Sequence, residues 1–140
     1  MQPRRYAAIA VGMSGLVSLG GCSGGGGIAA LDRAPTADDQ LPGYVVTQDL
    51  DVDSVRLVVE QEGINYFISE RKEGVGFCLT LTKYQDERAW ISACGGPVGE
   101  AITAQSRGIP GVVKLEVDGY STDYLEENGW TKIHDNLLTR

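Results

Sequence analysis

From residue 54 onward apolar residues recur at every second position, the period of a strand with one buried face. Val55, Leu57 and Val59 alternate with Arg56, Val58 and Glu60, Glu62-Gly63 supplies a turn, and Tyr66 and Ile68 continue an apolar face along Ile64 to Glu70. Pairing about that turn sets Val59 opposite Tyr66 and Leu57 opposite Ile68, which predicts a hairpin. Val75 to Lys83 and Arg88 to Cys94 are two further β-rich runs, joined by the polar loop Tyr84 to Glu87. A register centred on residue 86 sets Cys78 opposite Cys94, with Phe77, Leu79, Leu81, Ile91 and Ala93 on one face. Cys78, Thr80, Thr82, Trp90, Ser92 and Cys94 share the other.

Beyond Gly95-Gly96-Pro97 the pattern weakens, and Val98 to Ser106 reads as a loop or one helical turn. Gly108 to Gly111 opens another strand, in which Val113, Leu115 and Val117 face one way. Ser121 or Thr122 can cap a short acidic helix over Asp123 to Glu127, closed by Asn128-Gly129. Trp130 to Ile133 and Asn136 to Thr139 form a last small hairpin or edge. The expected fold is mainly β, a small antiparallel meander of five or six strands with one short helix, over residues 54–140.

The chain before residue 54 has no such period. Met1 to Arg5 is short and basic, Tyr6 to Val17 is mostly apolar, and Leu19-Gly20-Gly21-Cys22 follows, the order of regions in a secretory signal. The apolar core is shorter than the roughly 20 residues a membrane span requires, and it runs into glycines. Leu19-Gly20-Gly21-Cys22 resembles the lipobox of bacterial lipoproteins. That resemblance implies that residues 1–21 are removed and that Cys22 carries a thioether-linked diacylglycerol at the mature N-terminus. The protein would then be exported and anchored on the outer face of the cell membrane by lipid, and two acyl chains suffice for stable anchoring. Residues 22–53, glycine-rich and then acidic with Pro35 and Pro42, are expected to be a flexible linker.

Charge and cysteine count narrow the partners. The formal charge of −7 becomes −9 without Arg4 and Arg5, with 10 basic residues left against 19 acidic ones. Nucleic acid, which binds proteins by exchanging counterions for Lys and Arg, is therefore dropped as a partner. With Cys22 acylated, Cys78 and Cys94 are the two thiols left in an oxidising compartment, and the hairpin register predicts a structural disulfide. A redox pair fits less well, because the spacing is far from Cys-x-x-Cys and no basic residue adjoins either sulfur.

Asp49, Asp51 and Asp53 with Glu60 imitate the spacing of a calcium loop, but Ser54 stands where the turn glycine belongs and Arg56 puts a cation inside it. The lone His134 offers no metal pair, and no phosphate loop is present in the sequence. No catalytic residue, metal ligand or cofactor is assigned. Trp90 is the candidate binding residue: it either shields the sulfurs beneath the final segment or stands out as an anchor for a partner.

Gly76-Phe77-Cys78-Leu79, Trp90-Ile-Ser-Ala-Cys94-Gly95 and Gly129-Trp130-Thr131, with the Tyr66 strand, resemble small exported or membrane-anchored bacterial proteins that carry a cysteine pair. The resemblance names no activity. The expectation is a non-enzymatic, lipid-anchored domain that binds an envelope protein, a small ligand or a wall polymer. The alternative is an accessory or inhibitory subunit docking by an exposed strand edge on an exported enzyme or transporter.

Overall fold

The computed structural model describes residues 27–96 and 101–140. The expected signal sequence, the Leu19 to Cys22 motif and Pro97 to Glu100 lie outside the described residues. Two four-stranded antiparallel sheets make up the body. The first holds β1 (Arg56–Gln61), β2 (Ile64–Glu70), β3 (Phe77–Lys83) and β4 (Asp86–Cys94) in sequential order. The second holds β5 (Ile102–Ser106), β6 (Ile109–Leu115), β7 (Thr131–His134) and β8 (Leu137–Thr139) in the order β5-β6-β8-β7. One short helix, α1 (Asp123–Glu127), connects β6 to β7. The protein is thus mainly β and antiparallel with one short helix, with eight strands among the described residues where five or six were expected. The meander is confined to the first sheet.

The extra strands have a local cause. Residues 98–106 carry mostly small and polar side chains, with Val98 and Ile102 the only large apolar ones, so their alternation is faint. Ile102 and Ala104 nonetheless point into the core while Thr103 and Gln105 face solvent, and β5 pairs with β6 through Ile102 to Leu115 and Ala104 to Val113. The expected loop or turn is corrected to a strand over Ile102–Ser106.

The sheets face each other across one apolar core. Ile64, Tyr66 and Ile68 of β2 and Leu79 and Leu81 of β3 meet Ala104, Val113, Leu115 and Leu137 of the second sheet. β4 lies beside β5, and β1 approaches β7 more loosely, so the two layers close at both sides. Phe77, Ile91 and Ala93 pack against this core, the face that alternation assigned them.

Turn chemistry sets the β1-β2 and β3-β4 hairpins of the first sheet. Glu62 and Gly63 have φ values of 54° and 73°, a two-residue turn whose twist matches that of the strands it joins. Val59 pairs with Tyr66 as expected, but Leu57 pairs with Phe67 and Arg56 with Ile68. A bulge at Val58 causes this correction: one extra residue turns Leu57 away from the face that Val59 shares with Tyr66. In the second hairpin Cys78, Leu79, Thr80, Leu81 and Thr82 pair with Cys94, Ala93, Ser92, Ile91 and Trp90, the expected register. Its turn is the two residues Tyr84-Gln85, because Lys83 pairs with Asp86 and the surplus residues form a bulge in β4. The bulge buries Ala89 against Gly108 of the β5-β6 turn.

Residues 28–53 are corrected most. They form a strap of three short 3-10 turns (Ala29–Leu31, Ala37–Asp39 and Val52–Ser54) laid over the sheets. Ile28 joins the main core, and Val45 and Leu50 are buried. The flexible linker expected over 22–53 is therefore part of the folded body from Ile28 onward. The strap escaped the periodicity test because each 3-10 turn spans three residues, too few to display a period.

Candidate functional site

The strap is fastened by charge. Asp39 is only 5% exposed, yet its carboxylate has a complete set of donors. Arg33 donates to it through both terminal nitrogens, at 2.7 and 2.6 Å, and the Thr36 amide and hydroxyl donate at 2.6 and 3.1 Å. The Leu57 amide donates at 2.7 Å. These donors, Arg33 foremost, hold the carboxyl of Asp39 well below the ordinary carboxylate range despite its burial. Thr36 and Asp39 also make a capping box around the 3-10 turn Ala37–Asp39.

Leu57 has both of its backbone groups answered by this pair. Its amide donates to Asp39, and its carbonyl accepts from Arg33 at 3.0 Å. Two side chains thereby stand where a neighbouring strand would stand at the edge of β1. Arg56, buried at 6% exposure, ties the strap from the other side by donating to the carbonyls of Arg33, Asp53 and Val55 at 2.9, 3.0 and 2.8 Å. Strap and β1 thus exchange hydrogen bonds in both directions.

Between Pro35, Leu41, Pro42 and Val45 on one side and Val52 and Val55 on the other, the strap leaves an open cavity of about 710 Å³. The volume lies in the range of small-molecule sites. Asp39 contributes to its wall, but with five hydrogen bonds to Arg33, Thr36 and Leu57 the carboxylate has no capacity left to serve as a base. Val46 and Val52 are exposed beside it. The chemistry on offer is contact with a mixed polar and apolar surface.

At the other end of the molecule a smaller cavity of about 240 Å³ opens between the sheets, lined by Glu62, Tyr66, Pro110, Gly111 and Arg140 among others. Burial pushes the Tyr66 phenol up, and the charge of Glu62 adds to the effect. Arg140 and Lys114 both lie over the ring of Trp130, 4.9 and 5.2 Å from its centroid. No cluster of three His, Cys, Asp or Glu suited to a metal ion occurs among the described residues.

Compared with known proteins, the chain matches no family model, no curated protein and no solved structure.

The residues singled out from sequence are distributed as follows. Cys78 and Cys94 form a disulfide between directly paired positions of β3 and β4, with Cα atoms 4.0 Å apart. Cys78 is fully buried and Cys94 is exposed. Gly76, whose φ is 136°, leaves room here for the carbonyls of Gly95 and Gly96, which a Cβ would strike. The cover over Cys78 is the strap, for its Sγ lies 3.9 Å from the Asp49 carbonyl, and not the final segment expected there. Trp90, opposite Thr82, is half-buried and lines neither cavity described above. Asp51 accepts from the Asp53 amide at 3.2 Å and caps a 3-10 turn, and the half-buried His134 accepts from the Asn136 amide through Nδ1 at 3.1 Å. Cys22 lies outside the described residues. Sequence reasoning passed over Arg33, Thr36 and Asp39, although Thr36-Ala-Asp-Asp39 has the spacing of a capping box.

Proposed function

We propose that this is a lipid-anchored protein of the bacterial cell envelope, held on the outer face of the membrane through Cys22, whose β domain binds a partner or ligand and performs no chemistry. The observation that carries the reading is the strap. Arg33 and Asp39 are committed to hydrogen bonds that build a concave surface, and of the two acids in its wall, Asp39 and the exposed Asp53, the buried one is locked. The lipobox-like Leu19 to Cys22 supports the anchor, and the Cys78-Cys94 disulfide suits an oxidising compartment.

Docking by a free strand edge is the weaker alternative. The β1 edge is covered at Leu57, and β4 lies beside β5. Two measurements test the proposal. Metabolic labelling with palmitate is expected to mark the wild-type protein and to vanish in Cys22→Ala, and label on the variant would refute the anchor. Native mass spectrometry of the detergent-extracted protein is expected to show a bound species that Val52→Arg, at the mouth of the strap cavity, displaces. Retention of that species by the variant would place binding elsewhere.

A further inference from the structure

A further cavity, of about 310 Å³, opens where the strap meets the end of β2. Gln48 and Asp49 of the strap contribute to its wall, and so do Arg71, Lys72 and Glu73, which follow β2. Backbone pairing holds the two segments in register. The Lys72 amide donates to the Asp49 carbonyl at 3.0 Å, the Asp51 amide donates to the Glu70 carbonyl at 3.0 Å, and Leu50 bridges Arg71. The Arg71 amide in turn donates to the Gly76 carbonyl at 3.1 Å, so its backbone is fixed from both neighbours. This cavity shares no wall residue with the strap cavity.

Two observations point to an occupant. The first is an unanswered donor. The enclosed side-chain polar atoms without a hydrogen-bond partner among the described residues are Ser69 Oγ and Arg71 Nε. They belong to residues two apart on one extended run, where Ser69 pairs with Cys78 and Arg71 bridges Leu50, so both side chains stand on the same face. A buried N–H without an acceptor is destabilising, and an oxygen brought in by a ligand removes that cost. The second is a set of unpaired charges. Arg71 and Lys72 share one small space with Asp49 and Glu73. The ion pairs among the described residues are nevertheless Arg33 with Asp39 and Lys132 with Asp135, and none of these four enters either. Opposite charges around a common cavity, out of contact with each other, leave room for a molecule that carries both signs.

We infer that this cavity binds a compact zwitterion, a free α-amino acid with a small or polar side chain. The carboxylate of the ligand takes the Arg71 guanidinium, whose planar fork matches two oxygens, and Lys72 adds charge. The ammonium takes Asp49 and Glu73. A simple anion is repelled by those two carboxylates, and a simple cation by Arg71 and Lys72. Every wall residue is polar or charged, so an apolar side chain gains nothing by entry, and the volume is at the small end of ligand sites.

The test is equilibrium dialysis of the full-length protein in detergent against isotope-labelled glycine, serine and glutamine. All three share the two charged groups, so all three are expected to bind, one per protein. Their N-acetyl and amide counterparts, each lacking one charge, are expected to compete at least about tenfold more weakly. Arg71→Met is expected to lose the bound label and Asp49→Asn to lower affinity about tenfold. Lys83→Gln removes a cation at the far end of β3 and is expected to leave binding unchanged. A thermal melt separates binding from structure: Arg71→Met removes the unanswered donor and is expected to melt no lower than the wild type.

Absence of binding by all three amino acids, equal competition by either blocked counterpart, retention of label by Arg71→Met, or its loss in Lys83→Gln would each overturn the site. A clearly lower melting temperature of Arg71→Met would overturn it too, by making Arg71 a structural residue. The site rests on neither the lipid anchor nor the strap cavity, so its failure leaves both standing.

Discussion

Between the sheets Ile68, Leu79 and Leu137 are wholly buried in an apolar cluster, whereas the strap is fastened to the same domain by two charged residues, Asp39 and Arg56, that are almost as deeply enclosed. The core gains from every apolar group removed from water and tolerates small shifts of its parts. The strap depends on direction, since Asp39 and Arg56 are enclosed only because each has hydrogen-bond partners in place. One region therefore loses stability in proportion to volume, while the other is lost when a single partner is removed.

Leu137→Ala is expected to show the largest effect, about 3 kcal/mol of unfolding free energy, with all strands losing protection together. Denaturant melts followed by circular dichroism measure it, and a loss below about 1 kcal/mol would mean that the core relaxes around the gap. Reduction of the disulfide, or Cys78→Ser with Cys94→Ser, is expected to cost about 3 kcal/mol in the chain-entropy picture and to fall on the core sheet. An unchanged melting temperature under reductant would show that the pairing of β3 with β4 stands without it.

Asp39→Asn is expected to cost about 2 kcal/mol, less than a fully buried ion pair because the Arg33 side chain is 39% exposed. The loss should be local. Hydrogen exchange at the Leu57 amide should quicken while that of Leu79 keeps its rate, and equal acceleration at both would make strap and core one cooperative unit.

Acid sharpens the same contrast. The native carboxyl of Asp39 is depressed, so the unfolded chain takes up the proton first as the pH falls. The contribution of Asp39 is complete above about pH 5 and is lost as the pH drops through the native value. Asp39→Asn should flatten that acid limb, and identical limbs in both proteins would contradict the assignment. The smallest effect is a gain. Glu62→Gly removes a non-glycine residue from a left-handed position and is expected to add about 0.5 kcal/mol, measured as a higher melting temperature.

This contrast also explains how much could be read in advance. Alternation located β2, β3 and most of β4, and the register about residue 86 was right from Cys78 to Thr82 because one face of that hairpin is apolar throughout. The helix over Asp123–Glu127 was legible from its flanking polar residues, although Ser121 and not Thr122 accepts from the Asp123 amide. Thr122 donates its hydroxyl to Glu126 instead. The bulge at Val58 was invisible, since its reason is the pairing of Leu57 with Arg33 and Asp39, two residues remote in sequence. The strap cavity was invisible for the same cause: its walls belong to a segment with an apparent linker composition, ordered by contacts that no local pattern announces.

The side-chain substitute for a strand at Leu57 has a further consequence wherever copies of the molecule are crowded together. Open sheet margins join neighbouring copies into ribbons. With the amide and carbonyl of Leu57 already occupied from within, a second copy finds no register there in which to continue the ladder, and crowding leaves the molecules separate at that margin.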